Sequence, residues 1–137
     1  VFAVLALSAA GGCGDEESLN TTIPFRVVLI EPLSGTQDVA CTDTIRVTFN
    51  QAIDTTAVVD NEPPRYFVAG INSGAALNTA GIFLSNQGRT LNLPFTFQPS
   101  THFTFSFLQA IGQDGQALET QGQTTFDTLP SGQGGCP

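Results

Sequence analysis

The sequence predicts an all-β fold: a sandwich of about seven short antiparallel strands, preceded by an N-terminal signal segment and a tether. Three observations carry this. Apolar and polar residues alternate with a period of two in several runs, the pattern of half-buried strands. Clusters of Gly, Pro, Asn, Asp and Ser punctuate those runs at short intervals. No run of useful length has helical periodicity, and only Asp54-Thr55-Thr56-Ala57-Val58 suggests a single turn. Charged residues are 12% of the chain, so Thr, Ser, Gln and Asn must cover the surface, and these suit strands and loops better than helices.

The chain opens on an apolar run, Val1 to Ala10. It is about half the ~20 residues that span a bilayer, and its length suits a signal-peptide h-region. Gly11-Gly12-Cys13 follows, then the acidic stretch Gly14-Asp15-Glu16-Glu17-Ser18. Leu7 to Cys13 resembles the end of a bacterial lipoprotein signal peptide. It departs from the commonest pattern at Ala10, where Leu is usual. No basic n-region precedes it and the chain has no Met, so the start of the reading frame is expected to be missing. The resemblance implies that residues 1–12 are a truncated signal peptide and that Cys13 becomes a lipidated N-terminus, with the membrane as partner. Gly14, rather than Asp, after the Cys resembles the signal for outer-membrane sorting. Two other readings stay open: a secretory signal cut after an A-x-A-like site with Cys13 incidental, and a buried strand with a free Cys.

Residues 13–25 read as a tether, acidic and then Thr-rich, with too little apolar area to offset the entropy of ordering. The domain is expected over 26–130. Arg26 to Ile30 is the first strand, stopped by Pro32 and turned by Ser34-Gly35. Thr44 to Phe49 places Ile45, Val47 and Phe49 on one face and Thr44, Arg46 and Thr48 on the other. Arg65 to Ala69 is a shorter strand between Pro63-Pro64 and Gly70. Gly81 to Ser85 and Thr90 to Phe95 flank Asn86-Gln87-Gly88-Arg89, a hairpin signal. Pro94 marks a strand end or a sheet edge. His102 to Leu108 is the strongest strand, with Phe103, Phe105 and Phe107 on one face. In a chain with eleven Phe and no Trp, that stripe is expected in the core. Gln113 to Gln116 is a turn, and Gln123 to Thr128 is the last strand. Residues 131–137 read as a flexible tail.

Composition excludes several functions. The formal net charge is −8, and Arg26, Arg46, Arg65 and Arg89 stand singly with no Lys. No basic stripe is available to neutralise phosphates, so no nucleic-acid partner is expected. Catalysis needs a nucleophile, a base and an orienting group within reach. His102 is the one histidine, no G-x-S-x-G elbow accompanies it, and Cys41 would meet it only by an accident of folding. No Gly-rich loop precedes a helix, and no C-x-x-C has zinc-ligand spacing. Asp60-Asn61-Glu62 with Glu31, Asp38 or Asp43 offers oxygen ligands for Ca²⁺, but without the spacing of a calcium loop these read as solvated acids. No catalytic residue, cofactor, metal or small-molecule substrate is therefore expected, and the protein is not read as an enzyme.

The order of these segments carries a further likeness. Val28-Leu-Ile-Glu-Pro-Leu-Ser-Gly-Thr-Gln-Asp-Val39 leads into the Thr-rich strand Asp43 to Asn50 and then Gln51-Ala52-Ile53-Asp54. Later come Asn86 to Leu93, the Pro-led loop Gln98 to Thr101, the aromatic strand His102 to Leu108, the turn at Gln113-Asp114-Gly115 and the closing strand Thr124 to Thr128. Over residues 26–129 this resembles the bacterial Ig-like domains of the S-layer-protein (SbsA) type. It departs at Phe103, where the family often has Tyr, and in the insertion-like stretch from Asp60 to Asn78. The resemblance implies an Ig-like β-sandwich that acts as a spacer or interaction module of the cell envelope. Strand edges would be the route to a protein partner. In that strand order Cys41 and Cys136 fall at the same pole, so a disulfide between them is a candidate. A free Cys136 that pairs in a following domain is the other reading. A carbohydrate-binding module of the same fold is the alternative function, and it would need Phe25, Tyr66, Phe67 and Phe83 exposed on one face.

Overall fold

The computed structural model describes residues 23–61 and 64–137. Cys13, the signal segment 1–12 and the first part of the tether lie outside the described residues, as do Glu62 and Pro63. Two antiparallel-dominated sheets face each other across one core. The first contains β1 (Val27–Glu31), β3 (Thr44–Phe49), β9 (Thr90–Phe97) and β7 (Ala75–Leu77) in that order, with β8 (Phe83–Ser85) also paired to β9. The second has the order β2 (Thr36–Val39), β11 (Gly122–Thr128), β10 (His102–Ala110) and β6 (Phe67–Ile71). A small hairpin joins β4 (Asp60–Asn61) to β5 (Pro64–Arg65). The described residues thus hold eleven strands rather than the seven expected, because β2, β4, β5 and β7 lie in stretches that read as turn or insertion.

The alternation seen in the sequence sets the core. Ile45, Val47 and Phe49 of β3, Leu91, Leu93, Phe95 and Phe97 of β9, and Phe103, Phe105 and Phe107 of β10 all point inward and are buried. Phe97 packs against Phe95, Phe103 and Phe126 at ring-centroid distances of 5.3, 5.0 and 5.2 Å. Phe107 meets Phe49 and Phe67. Offset and edge-on ring pairs of this kind add to the burial of apolar area. The Phe stripe of β10 is core, as its alternation predicts.

Five segments depart from the sequence reading. The first strand stands where the sequence places it, but a strand the sequence does not announce follows it: β1 pairs with β3, the chain turns through Pro32 to Gly35, and β2 then pairs parallel to β11 in the other sheet. Gly35 takes the positive φ of that turn (+88°) and donates its N–H to Thr125 O at 2.8 Å. Pro94 sits inside β9 rather than at an end or edge. Phe95 and Phe97 donate towards Asp43 and Cys41 on the β3 side. The nitrogen of Pro94 therefore faces the opposite side, where the neighbour of β9 changes from β8 to β7 and no donor is required. Asp54 begins a tight turn, not a helix. Its carboxylate accepts from the Thr56 hydroxyl and N–H at 2.6 and 2.9 Å, and these bonds, the hydroxyl first, hold its pKa below the ordinary value. The single helical element among the described residues is a 3-10 turn, Thr79–Gly81.

The remaining two departures move the ends of the folded unit. The tether does not extend to residue 25: Phe25 is fully buried and stacks on Phe49 at 5.0 Å. The segment 131–137 is not a free tail either. Cys136 is buried, Gly132 donates to Cys136 O, and Cys41 donates to Gly134 O at 3.0 Å, so the tail is folded onto the pole where β2 passes into β3.

Candidate functional site

Cys41 and Cys136 are joined by a disulfide with Cα atoms 4.9 Å apart, inside the span that a disulfide bridges. Cys41 lies in the loop before β3, and its carbonyl accepts from Phe97 N at 2.7 Å. Leu129 donates to Val39 O beside it. The bond therefore links the end of the chain to two strands of one sheet and one of the other. Its role is structural, since both sulfurs are consumed in it and Cys41 offers no thiol to His102.

His102 stands at the start of β10, exposed, with Nδ1 2.7 Å from Asp127 Oδ1. The two are cross-strand partners in the β10–β11 ladder. Its side chain and that of Asp127 are 63% and 44% exposed, so water competes for both groups. An exposed pair of this kind is worth at most about 1 kcal/mol. Asp127→Asn is accordingly expected to shift the urea midpoint at pH 6 by less than the equivalent of about 1 kcal/mol; a larger loss would show that the pair does more than decorate the ladder. Among the described residues no group of three or more His, Cys, Asp or Glu is placed to hold a metal. Of the candidate calcium ligands, Asp43 instead caps Thr44 N at 2.8 Å, while Glu31 and Asp38 are exposed on separate strands, β1 and β2.

The four aromatics required for a sugar platform are not gathered on one face. Phe25 and Phe67 are in the core. Tyr66 is half-buried and meets Phe67 edge-on at 67°, and burial pushes its phenol pKa up. Phe83 is exposed on β8, 56% accessible.

What the surface does offer is sheet edges. β1 carries Val28 and Leu29, with Leu33 just beyond, all exposed. It also carries a bulge between Val27 and Leu29 and ends at Glu31. On the opposite side of the sandwich, β6 crosses to β7 through Asn72 to Gly74. Asn72 fastens that crossing: its side chain donates to His102 O at 3.0 Å and accepts from Thr104 N at 2.7 Å. Between β6 and β7 runs a groove of about 310 Å³ with Phe67, Ala69, Ile71, Ala75 and Leu77 along it and Arg65 at one end. A second hollow of about 490 Å³ shares Arg65 and Phe67 and extends past Tyr66 towards Ile82. Sequence reasoning placed a strand here but missed the groove, because the hollow forms where two strands of different sheets separate, and no residue pattern within either strand announces that.

Among solved structures the fold is similar to CopC from Methylosinus trichosporium OB3b, with a TM-score of 0.50 and 15% identity over 77% of this chain and 94% of that one. It is equally similar to the N-terminal part of the bacterial S-layer protein SbsC, TM-score 0.50 and 14% identity over 78% of this chain. It also matches surface layer protein SbsC domains 1-6, TM-score 0.50 and 13% identity. This chain spans only 24% and 14% of those two S-layer chains. At such identities the likeness is one of fold. A search of characterised proteins finds no match. The model of the bacterial Ig-like domain matches residues 21–128, nearly the whole sandwich and a start that precedes the buried Phe25. The chain belongs to the bacterial Ig-like domain family.

Proposed function

We propose that this chain is a non-catalytic protein of the bacterial cell envelope, anchored to the outer membrane by lipid on Cys13, whose Ig-like domain serves as a spacer or protein-interaction module. The observation that carries the reading is a sandwich whose interior is filled by Phe side chains and whose working surface is backbone at sheet edges. Such edges recognise partners by strand addition rather than by chemistry. The disulfide supports an oxidising compartment, where such bonds persist. The Gly-Gly-Cys-Gly sequence at 11–14 supports the anchor. Several acyl chains on one residue hold a protein at a membrane far better than one.

The test of the anchor is metabolic labelling of the full chain with a fatty acid in a bacterial host. The wild type is expected to take up label and to sediment with membranes. Cys13→Ser is expected to lose both. A wild type that takes up no label, or a Cys13→Ser variant that keeps it, overturns the anchor and leaves plain secretion.

A further inference from the structure

The geometry points to β6 as the docking edge, and to an extended apolar peptide bearing one carboxylate as its partner, added as a strand beside Phe67–Ile71 with the carboxylate at Arg65. The inference rests on the interaction-module reading and names its edge and its class of partner.

Sheet edges invite strand pairing unless something blunts them, and folded proteins blunt them with bulges, charges, proline or brevity. The other edges here carry such devices. β1 is bulged and ends in Glu31. β2 is four residues long, and Asp38 within it takes a positive φ of 61°. β7 and β8 are three residues each. β6 carries none of these. Its five residues, Phe-Val-Ala-Gly-Ile, hold no charge and no proline, and they pair with β10 alone among the described residues. The one irregularity of that ladder lies on β10, between Phe107 and Gln109, and adds no extra residue to β6. Backbone N–H and C=O groups on the side of β6 away from β10 have no ladder partner among the described residues, and a new strand would supply one.

The groove decides what kind of strand. Alternate side chains of an added strand point to opposite faces, so every second residue enters the space between β6 and β7. The walls there are Phe67, Ala69, Ile71, Ala75 and Leu77, which accept apolar side chains and reject charged ones. A strand matching β6 is about 16 Å long, at roughly 3.3 Å per residue. Arg65 ends the groove. It is exposed, one of four cations in a chain of net charge −8, and a planar guanidinium suits a carboxylate. Asp60 stands across from it in the β4–β5 ladder. More distant acids are screened beyond about 8 Å at physiological salt, so Arg65 is the near attractive charge for a carboxylate in contact with it and Asp60 the near opposing one.

The experiment uses the full chain, oxidised, with a short fluorescein-labelled peptide that alternates valine and threonine behind one aspartate. Binding is read by fluorescence polarisation, and its location by amide chemical shifts. Shifts confined to residues 65–71 and 75–77 are expected. Ala69→Lys, which places a charge in the groove, is expected to weaken binding at least about tenfold. Arg65→Glu, a change at an exposed position that does not threaten folding, is expected to weaken the aspartate peptide several-fold and its asparagine analogue much less. A peptide with proline at its centre is expected not to bind. Shifts that map to β1 overturn the choice of β6 while leaving the interaction-module reading in place. Shifts nowhere, or equal binding of the proline peptide, overturn the proposal. A concentration-dependent dimer in sedimentation, lost in Ala69→Lys and indifferent to peptide, assigns the edge to a second copy and overturns it as well. The fatty-acid labelling of Cys13 is independent of each of these results.

Discussion

Reduction of the Cys41–Cys136 bond is expected to lower the melting temperature of the domain by about 10 °C while leaving it folded at 25 °C. The two residues are 95 apart in sequence, so the bond closes a loop that includes most of the sandwich. In the chain-entropy model a loop of this length is worth up to ~4–5 kcal/mol, and native bonds commonly deliver about 2–4 kcal/mol. Each kcal/mol moves the midpoint of a domain of this size by about 4 °C. The core does not depend on the bond. Phe97, Phe103, Phe105, Phe107 and Phe126 are buried in one apolar cluster between the sheets, so the reduced protein has its apolar interior intact. The local effect differs from the global one. Cys41 N–H bonds to Gly134 O and Gln133 N–H to Pro130 O, while Gly132 N–H to Cys136 O and Cys136 N–H to Gln133 O are bonds within the segment, so without the covalent link few hydrogen bonds hold residues 131–137. Amide exchange is therefore expected to quicken first in 132–136, with β9 to β11 still protected. The measurements are melting curves with and without dithiothreitol, and the same curves for the double variant Cys41→Ala/Cys136→Ala. Identical midpoints in the two redox states, or free thiols found by alkylation before reduction, would show that the bond does not contribute as described.

The fold class was legible because burial writes itself into the sequence with a period of two. Ile45-Val47-Phe49 and Phe103-Phe105-Phe107 alternate over enough residues to fix both the strand and its inward face. The β8–β9 hairpin was legible for a different reason. Asn86, Gln87 and Gly88 all take positive φ (54°, 59° and 83°), and Asn and Gly are the residues that tolerate it. What stayed hidden was relational. β2 has only four residues, and its pairing with β11 depends on a turn at Pro32 to Gly35 that swaps it between sheets. The stretch from 60 to 78 folds into four short strands, each too brief for a period to show. Pro94 misled because the rule against proline in central strands concerns a missing donor, and here the donor side falls in the gap between β8 and β7. The candidate site divides the same way. The Cys pair came within reach only through a resemblance that supplied the strand order. Arg65 and the groove beside β6 need the relative placement of two sheets.

The largest single-residue effect is expected at Phe25, a position that composition assigns to the tether. Phe25→Ala is predicted to destabilise the domain by about 3–5 kcal/mol, the usual cost of removing a buried Phe and leaving its space. Its ring is fully buried, stacked on Phe49, and within the contact shell of Gly112, where a Cβ would come within 3.0 Å of it. Collapse into the vacated space is opposed by its surroundings. Phe25 O accepts from Glu119 N at 2.8 Å, Pro24 O accepts from the Asn50 side chain at 2.7 Å, and Arg26 N donates back to Asn50 Oδ1 at 2.9 Å. The Arg26–Glu119 ion pair, 2.7 Å, adds a further clasp at the surface. These bonds fix the backbone on both sides of the ring, so the cavity stays open and the cost falls towards the upper end of the range. Ile23, two residues earlier, is 68% exposed, and Ile23→Ala is predicted to change stability by less than about 0.5 kcal/mol. Urea unfolding of the two variants locates the start of the folded unit between these residues. Equal, small effects at both positions would return Phe25 to the tether. A large effect at Phe25 alone means that the Ig-like domain begins before its first strand, with Pro24 and Phe25 as the first residues that the core holds.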